Sequence, residues 1–147
     1  MGDPEARMSE RIYDEAILAE AKAQSGAGAL ERPAVRVEAD NPLCGDRIAL
    51  ELAGSPSRIE ALAHRTRGCL LTRAAASLIG RRAPGASTAD LRAAIAELEA
   101  LLATGTPAAR WPELAMFTPV RTVRSRHDCV LLPFRALAEA LDRLEGR

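Results

Sequence analysis

Lysine, aromatic residues and cysteine are all scarce in this sequence, and long apolar runs are absent. Lys22 is the only lysine, and 20 basic residues are balanced by 20 acidic ones. This balance excludes a strongly basic nucleic-acid binder and an acidic tail. No apolar run approaches the ~18 residues of a membrane span, and the N-terminus lacks the apolar core of a secretion signal. We therefore expect a cytoplasmic protein with no nucleic-acid or membrane partner, whose three cysteines stay as thiols.

The size and composition of the chain fit one globular domain. It has 147 residues, of which 48% are hydrophobic and 27% charged, which is enough to bury a core without disulfides. We predict a single domain over residues 1–147. Residues 1–8 are polar and include Gly2 and Pro4, so they are expected to form a flexible tail.

The periodicity of apolar residues predicts an α+β fold. Alternating apolar residues joined by short connections predict a three-stranded antiparallel sheet, with strands over residues 35–39, 47–53 and 59–64. Helical spacing predicts the covering helices, over residues 10–24, 70–81, 91–102 and 129–144. The third helix is an insertion between the second and third cysteines. Pro133 is expected in the first turn of the last helix, where its missing N–H costs little.

The cysteines lie at boundaries between predicted elements rather than inside apolar stripes. Cys44 falls in the loop between the first two strands. Cys69 and Cys129 fall at predicted helix N-termini, where the helix dipole favours a thiolate. No CxxC pair is present, which excludes a zinc ribbon and a thioredoxin-type dithiol. Gly45 lets the chain turn so that Cys44 and Asp46 face one point.

Three thiolates and one carboxylate would form a tetrahedral site for Zn²⁺, and the same set suits iron in a sulfide cluster. A carboxylate is a harder ligand than a fourth thiolate, so such a site exchanges ligands readily. Ready exchange favours a site that hands something on over a purely structural one. Free cysteine is also often buried as a small hydrophobe, and spacing alone leaves that alternative open.

Three motifs follow one another along the chain: Asn41-Pro42-Leu43-Cys44-Gly45-Asp46, then Gly68-Cys69 followed by Ala74-Ala75-Ala76-Ser77, then a cysteine at the start of the final helix. In this order they resemble the U-type iron–sulfur cluster assembly proteins, a family that includes IscU, the N-terminal domain of NifU, and SufU. The resemblance runs from about Ile12 to Leu144. It implies a SufE/NifU-like fold of a three-stranded antiparallel sheet with helices. It also implies a set of four metal ligands, namely Cys44, Asp46, Cys69 and Cys129.

Features near the third cysteine resemble the SufU branch in particular. The stretch from Cys69 to Cys129 is long and holds an extra helix. Asp128 stands where IscU has histidine, and Arg126 stands where SufU typically has arginine. The resemblance implies a zinc-bound sulfur acceptor with sulfurtransferase-like activity, which takes persulfide sulfur on Cys44 from a SufS-like cysteine desulfurase. It would pass this sulfur to a downstream scaffold or to apo-proteins. Arg126 would neutralise part of the ligand charge.

Other hypotheses remain at this stage. The same residues could bind Fe²⁺ and assemble a [2Fe–2S] cluster for transfer, as a non-enzymatic scaffold. The chain could instead be a structural zinc protein. Asp128 and His127 are alternate ligands, because either could reach a metal held by Cys129. His64 is expected to be a partly buried strand residue rather than a ligand.

Overall fold

The computed structural model describes the backbone of residues 4–147 and the side chains of residues 14–147. The elements are α1 (Pro4–Ala23), β1 (Val35–Asn41), β2 (Asp46–Ser55), β3 (Arg58–Arg67), α2 (Leu70–Arg82), α3 (Thr88–Thr104), the 3-10 helices η1 (Pro112–Thr122) and η2 (Arg124–Arg126), and α4 (His127–Leu144). The sheet is antiparallel with the order β1-β2-β3. The predicted fold class and the inserted helix α3 are thereby confirmed.

The sheet presents one face to the helices and the other face outward. Ile48, Leu50 and Leu52 of the central strand are fully buried and join the helices in one core. Successive strand residues point to opposite faces, so Arg47 and Ala49 lie on the outer face. Helices α2 and α4 pack against the inner face of the sheet, and α1 and α3 pack against α2 and α4 in turn.

An ionic cluster around the buried Glu20 joins α1, α2 and η1. Glu20 is only 6% exposed and accepts a hydrogen bond from the Ser77 hydroxyl at 2.9 Å. Arg81 forms an ion pair with Glu20 and a second one with Glu113 at 3.1 Å. Because both carboxylates find partners, the charges are compensated where the two helices and η1 meet.

Helix boundaries are where the structure departs most from the sequence prediction. Helix α1 begins at Pro4, so the predicted flexible tail overlaps its first residues, and residues 1–3 lie outside the described part of the chain. Helix α4 begins at His127, because η2 leads directly into it. Pro133 therefore lies beyond the first turn, which corrects the prediction. Among the described residues, no helix has both the length and the apolar character needed to cross a membrane.

The buried His64 is expected to make the stability of the fold depend on pH. Burial lowers the pKa of His64, and the hydrogen bond between its Nε2 and the Ser25 carbonyl at 2.8 Å opposes this only in part. As the pH falls, the unfolded chain, with an ordinary histidine pKa of about 6.5, takes up the proton first. We expect the contribution of His64 to the free energy of unfolding to be constant above about pH 7. This contribution should decrease as the pH drops below about 6.5.

Urea unfolding at about pH 7.5 and about pH 5.5 measures this effect. The variant His64→Gln is expected to lose less stability on acidification than the wild type, because glutamine does not titrate. An equal loss in the two proteins would contradict the assignment.

Candidate metal centre

The loop between β1 and β2 brings Cys44 and Asp46 together. Within this loop, the backbone N–H groups of Cys44 and Gly45 both donate hydrogen bonds to the Asn41 carbonyl, at 3.1 and 2.8 Å. Gly45 adopts a left-handed conformation with φ 75°, which other residues adopt at a cost. The turn leaves Cys44 exposed at its tip, while Asp46 is buried at the start of β2.

The end of β3 is shaped around the carboxylate of Asp46. Its Oδ1 accepts a hydrogen bond from the Cys69 N–H at 3.0 Å, at the N-terminus of α2. Gly68 has φ 154°, and a Cβ there would overlap Oδ1 and lie 3.0 Å from Cγ of Asp46. The absence of a side chain at Gly68 is therefore what leaves room for the carboxylate.

Three of the four predicted ligands converge. The Sγ atoms of Cys44 and Cys129 and a carboxylate oxygen of Asp46 all lie within 4.8 Å of one another. Around a tetrahedral zinc ion with Zn–S bonds of about 2.3 Å, sulfur atoms are about 3.8 Å apart, so closure needs a contraction of at most about 1 Å. Oδ2 of Asp46 is buried and has no hydrogen-bond partner among the described residues. A buried carboxylate oxygen without a donor fits a cation, so this group can hold a metal ion.

Cys69 lies beside this group rather than within it. Its Sγ is 3.4 Å from the Thr72 hydroxyl, which is buried one turn into α2. Burial raises the pKa of the Cys69 thiol. Hydrogen bonds from the Thr72 hydroxyl and N–H and from the Cys129 thiol lower the pKa by more than burial raises it, so the net shift is downward. The direction of this shift agrees with the expectation for a helix N-terminus, but its cause is the set of hydrogen bonds rather than the helix dipole.

The pKa of the Cys129 thiol is shifted in the opposite direction. Burial, together with the neighbouring Asp46 carboxylate and Cys69 sulfur, raises the pKa of its thiol to about 12. The prediction that its helix N-terminus favours a thiolate is thus wrong for the protein alone, because two acceptors and burial outweigh the dipole. A divalent cation held by these groups would reverse that balance, since a coordinating thiol is deprotonated.

Arg126 faces the sulfur atoms from the N-cap of α4. A hydrogen bond to Cys129, followed by the charges of Cys129, Cys69 and Cys44, raises the pKa of its guanidinium. The side chain is exposed, so it can leave the centre without breaking the core.

The two alternate ligands make other contacts. Nε2 of His127 lies 3.1 and 2.9 Å from the carbonyls of Val120 and Arg121, so it donates its proton there. Asp128 is exposed and pairs with Arg135 at 3.0 Å. Neither side chain belongs to the group formed by Cys44, Asp46 and Cys129.

An apolar groove of about 500 Å³ runs beside the centre. Residues from α1, α2 and the 3-10 segment line it, among them Ile17, Leu71 and Val120, with Cys69 and Arg126 at its edge. Sequence reasoning did not identify this groove, because the 3-10 segment that forms one wall has no clear apolar period. It also missed Thr72, whose position three residues after Cys69 in a helix is the signal that could have found it.

The chain belongs to the NifU-like N-terminal domain family, whose sequence profile matches residues 12–116. This confirms the family resemblance seen in the sequence. The match includes Cys44, Asp46 and Cys69, and Cys129 lies beyond it. A curated relative, the iron–sulfur cluster assembly scaffold protein IscU of Thermotoga maritima, is 26% identical over 134 residues, which cover 90% of this chain and 94% of the relative.

Solved structures share the fold over nearly the whole chain. The N-terminal part of a nitrogen-fixing NifU-like protein from Brucella abortus superposes with a TM-score of 0.87 and 29% identity, covering 95% of this chain and 99% of that one. A candidate iron–sulfur cluster assembly scaffold for the SUF system of Fervidobacterium islandicum has a TM-score of 0.81 and 23% identity, covering 90% and 98%. The second likeness concerns the fold alone.

Proposed function

We propose that this protein works in iron–sulfur cluster assembly as a zinc-bound sulfur acceptor. In this proposal Cys44 takes persulfide sulfur from a cysteine desulfurase and passes it to a downstream scaffold or apo-protein. The observation that carries the proposal is the position of Cys44. It is exposed at a hairpin tip, yet its Sγ lies within 4.8 Å of donor atoms of Asp46 and Cys129.

The ligand set in this proposal is Cys44, Asp46, Cys69 and Cys129. When bound, zinc would keep these thiols ionised and shielded until a partner arrives. The thiolate of Cys44 then attacks the outer sulfur of the enzyme's persulfide. A new S–S bond forms on Cys44, the old S–S bond breaks, and the enzyme's cysteine leaves as a thiolate.

Arg126 has a modulating role in this scheme. Four anionic ligands around a divalent ion leave an excess of negative charge, which the guanidinium partly neutralises. Because the side chain of Arg126 is exposed and interacts with Cys129 and, by charge, with Cys69 and Cys44, a partner can displace it. Displacement of Arg126 would remove the positive charge that offsets the ligands and would favour release of one thiolate from the metal.

The variant Cys44→Ala is expected to abolish stimulation of a purified cysteine desulfurase, because the acceptor sulfur is lost. The measurement is sulfide or alanine production at increasing concentrations of the protein. Ser57→Ala, at the opposite hairpin, serves as the control and should stimulate like the wild type. Stimulation that persists in Cys44→Ala, with circular dichroism showing an intact fold, would contradict the role of Cys44.

A scaffold that assembles a [2Fe–2S] cluster on the same residues is the second candidate. It is favoured by the name of the Thermotoga maritima relative, an iron–sulfur cluster assembly scaffold protein, and by thiolate donors that suit iron as well as zinc. Elemental analysis and absorption spectra of freshly isolated protein separate the two. Colourless protein with stoichiometric zinc supports the relay, whereas brown protein after anaerobic reconstitution, with no stimulation of the desulfurase, supports the scaffold.

A further inference from the structure

Three arginines cluster on the outer face of the sheet, at the end nearest the metal centre. Arg47 of β2 lies directly opposite Arg67 of β3, and Arg65 lies opposite the neighbouring outward residue, Ala49. All three arginines are exposed. Directly opposed side chains in an antiparallel pair have Cβ atoms about 5 Å apart, and like charges in this arrangement are destabilising.

On its other side Arg47 lies opposite Asp40 of β1, whereas the residues opposite Arg65 and Arg67 across the strand pair carry no negative charge. Among the side chains of residues 14–147, no carboxylate forms a salt bridge with Arg47, Arg65 or Arg67. Glu38 borders the same depression, but it pairs with Arg36 at 2.7 Å. Other described arginines also lack a salt bridge, but only here do two arginines lie directly opposite each other across a strand pair.

The shape of the outer face sets this area apart. The chain crosses the far end of the face between α1 and β1, where the Leu30 N–H donates to Glu51 at 3.1 Å. The near end stays open and forms a shallow depression of about 360 Å³, with Ala49 among the residues that line it. Long cationic side chains around a small residue produce a surface that can receive acidic side chains from outside.

We propose that Arg47, Arg65 and Arg67 form the docking surface for an acidic face of the protein that donates sulfur to Cys44. This inference rests on the proposed function and names the chemistry of its partner. The arginine cluster is continuous with the centre, because Arg47 follows Asp46 and Arg67 precedes the Gly68–Cys69 pair. A protein that brings a persulfide to Cys44 must cover the surface next to these residues. Charge complementarity there steers the encounter and fixes its orientation.

The centre is also bordered by apolar surface. Leu43, at the hairpin tip next to Cys44, is 93% exposed, and the partly exposed Leu70 and Val123 line the apolar groove beside Cys69. Apolar surface supplies affinity but little orientation. The arginine cluster fixes the orientation of the bound partner, so that the persulfide of the partner lies next to Cys44.

The test compares two double variants with equal loss of charge. Arg65→Gln/Arg67→Gln removes two arginines of the cluster, and Arg32→Gln/Arg58→Gln removes two exposed arginines at the other end of the sheet. We expect the first to weaken binding to a purified cysteine desulfurase by about 10-fold or more, mainly through the association rate, and the second by less than about 2-fold. The wild-type affinity should fall with added NaCl, and the first variant should show a shallower dependence.

The outcomes separate this inference from the proposed function. Equal affinities in the two double variants, with normal stimulation of the enzyme, would overturn the docking surface and leave the relay intact. Binding that depends on the cluster but produces no stimulation in the wild type would overturn the relay alone. A wild type that neither binds nor stimulates would overturn both. Saturable binding of sulfate at the cluster, with unchanged affinity for the enzyme, would assign the arginines to a small anion and reject the docking role.

Discussion

Replacing Gly68 by alanine is expected to weaken zinc binding by about 10- to 100-fold, the loss typical when groups around metal ligands are disturbed. The new Cβ would occupy the place of Asp46 Oδ1 and lie 3.0 Å from its Cγ. The carboxylate would have to move, and with it the hydrogen bond from the Cys69 N–H to Oδ1. One methyl group thus disturbs a proposed ligand and the peptide that carries the second cysteine. Competition with a chromophoric chelator measures the affinity.

Gly28→Ala is a matched control for this experiment. Gly28 has φ 138°, close to the 154° of Gly68, but a Cβ there meets nothing within 4 Å. Both variants therefore carry a similar backbone strain of about 1–3 kcal/mol, and only one touches Asp46. Equal zinc affinities in the two variants would show that the carboxylate of Asp46 is not part of the metal centre.

The sequence was sufficient to predict the sheet and the hairpin that carries Cys44. Alternation of apolar residues marked each strand, and Gly45 marked the turn, because both are local properties of the chain. The convergence of Cys129 with Cys44 and Asp46 is not local. It depends on how α4 packs against β1 and β2, so only the family resemblance could anticipate it.

The protonation behaviour of the cysteines could not be predicted from sequence position. Cys69 and Cys129 lie near helix N-termini alike, yet the pKa of one thiol is lowered and that of the other is raised. The difference arises from neighbours brought by the fold. Cys69 receives hydrogen bonds from Thr72, whereas Cys129 is buried and faces the Asp46 carboxylate. Helix position alone therefore gave the right sign for one cysteine and the wrong sign for the other.

The start of α4 shows a second limit of sequence reasoning. Proline is disfavoured inside a helix, so Pro133 suggested a helix that begins close before it. The structure places Pro133 beyond the first turn, followed by the fully buried Phe134. Burial of the residues around Pro133 outweighs the loss of one backbone hydrogen bond, which is a tertiary effect.

Phe134 is expected to contribute one of the largest single side-chain terms to stability. The ring is fully buried and packs against Trp111 with centroids 6.1 Å apart and a tilt of 53°. Phe134→Ala should lower the free energy of unfolding by about 3–5 kcal/mol, because it removes apolar contacts and leaves a cavity. Since α4 also carries Cys129, the same change should loosen the position of that sulfur. Urea unfolding in the presence of a chelator measures the stability without a contribution from bound metal.

Leu43→Ala is the control for the loss of an apolar side chain. Leu43 is 93% exposed, so its truncation should change the free energy of unfolding by less than about 0.5 kcal/mol. Phe134→Leu, which keeps most of the volume, should lose much less than Phe134→Ala. A loss below about 1 kcal/mol in Phe134→Ala would mean that the ring does not hold α4 against the region of Trp111. The position of Cys129 would then have to be fixed by the sheet side of the helix instead.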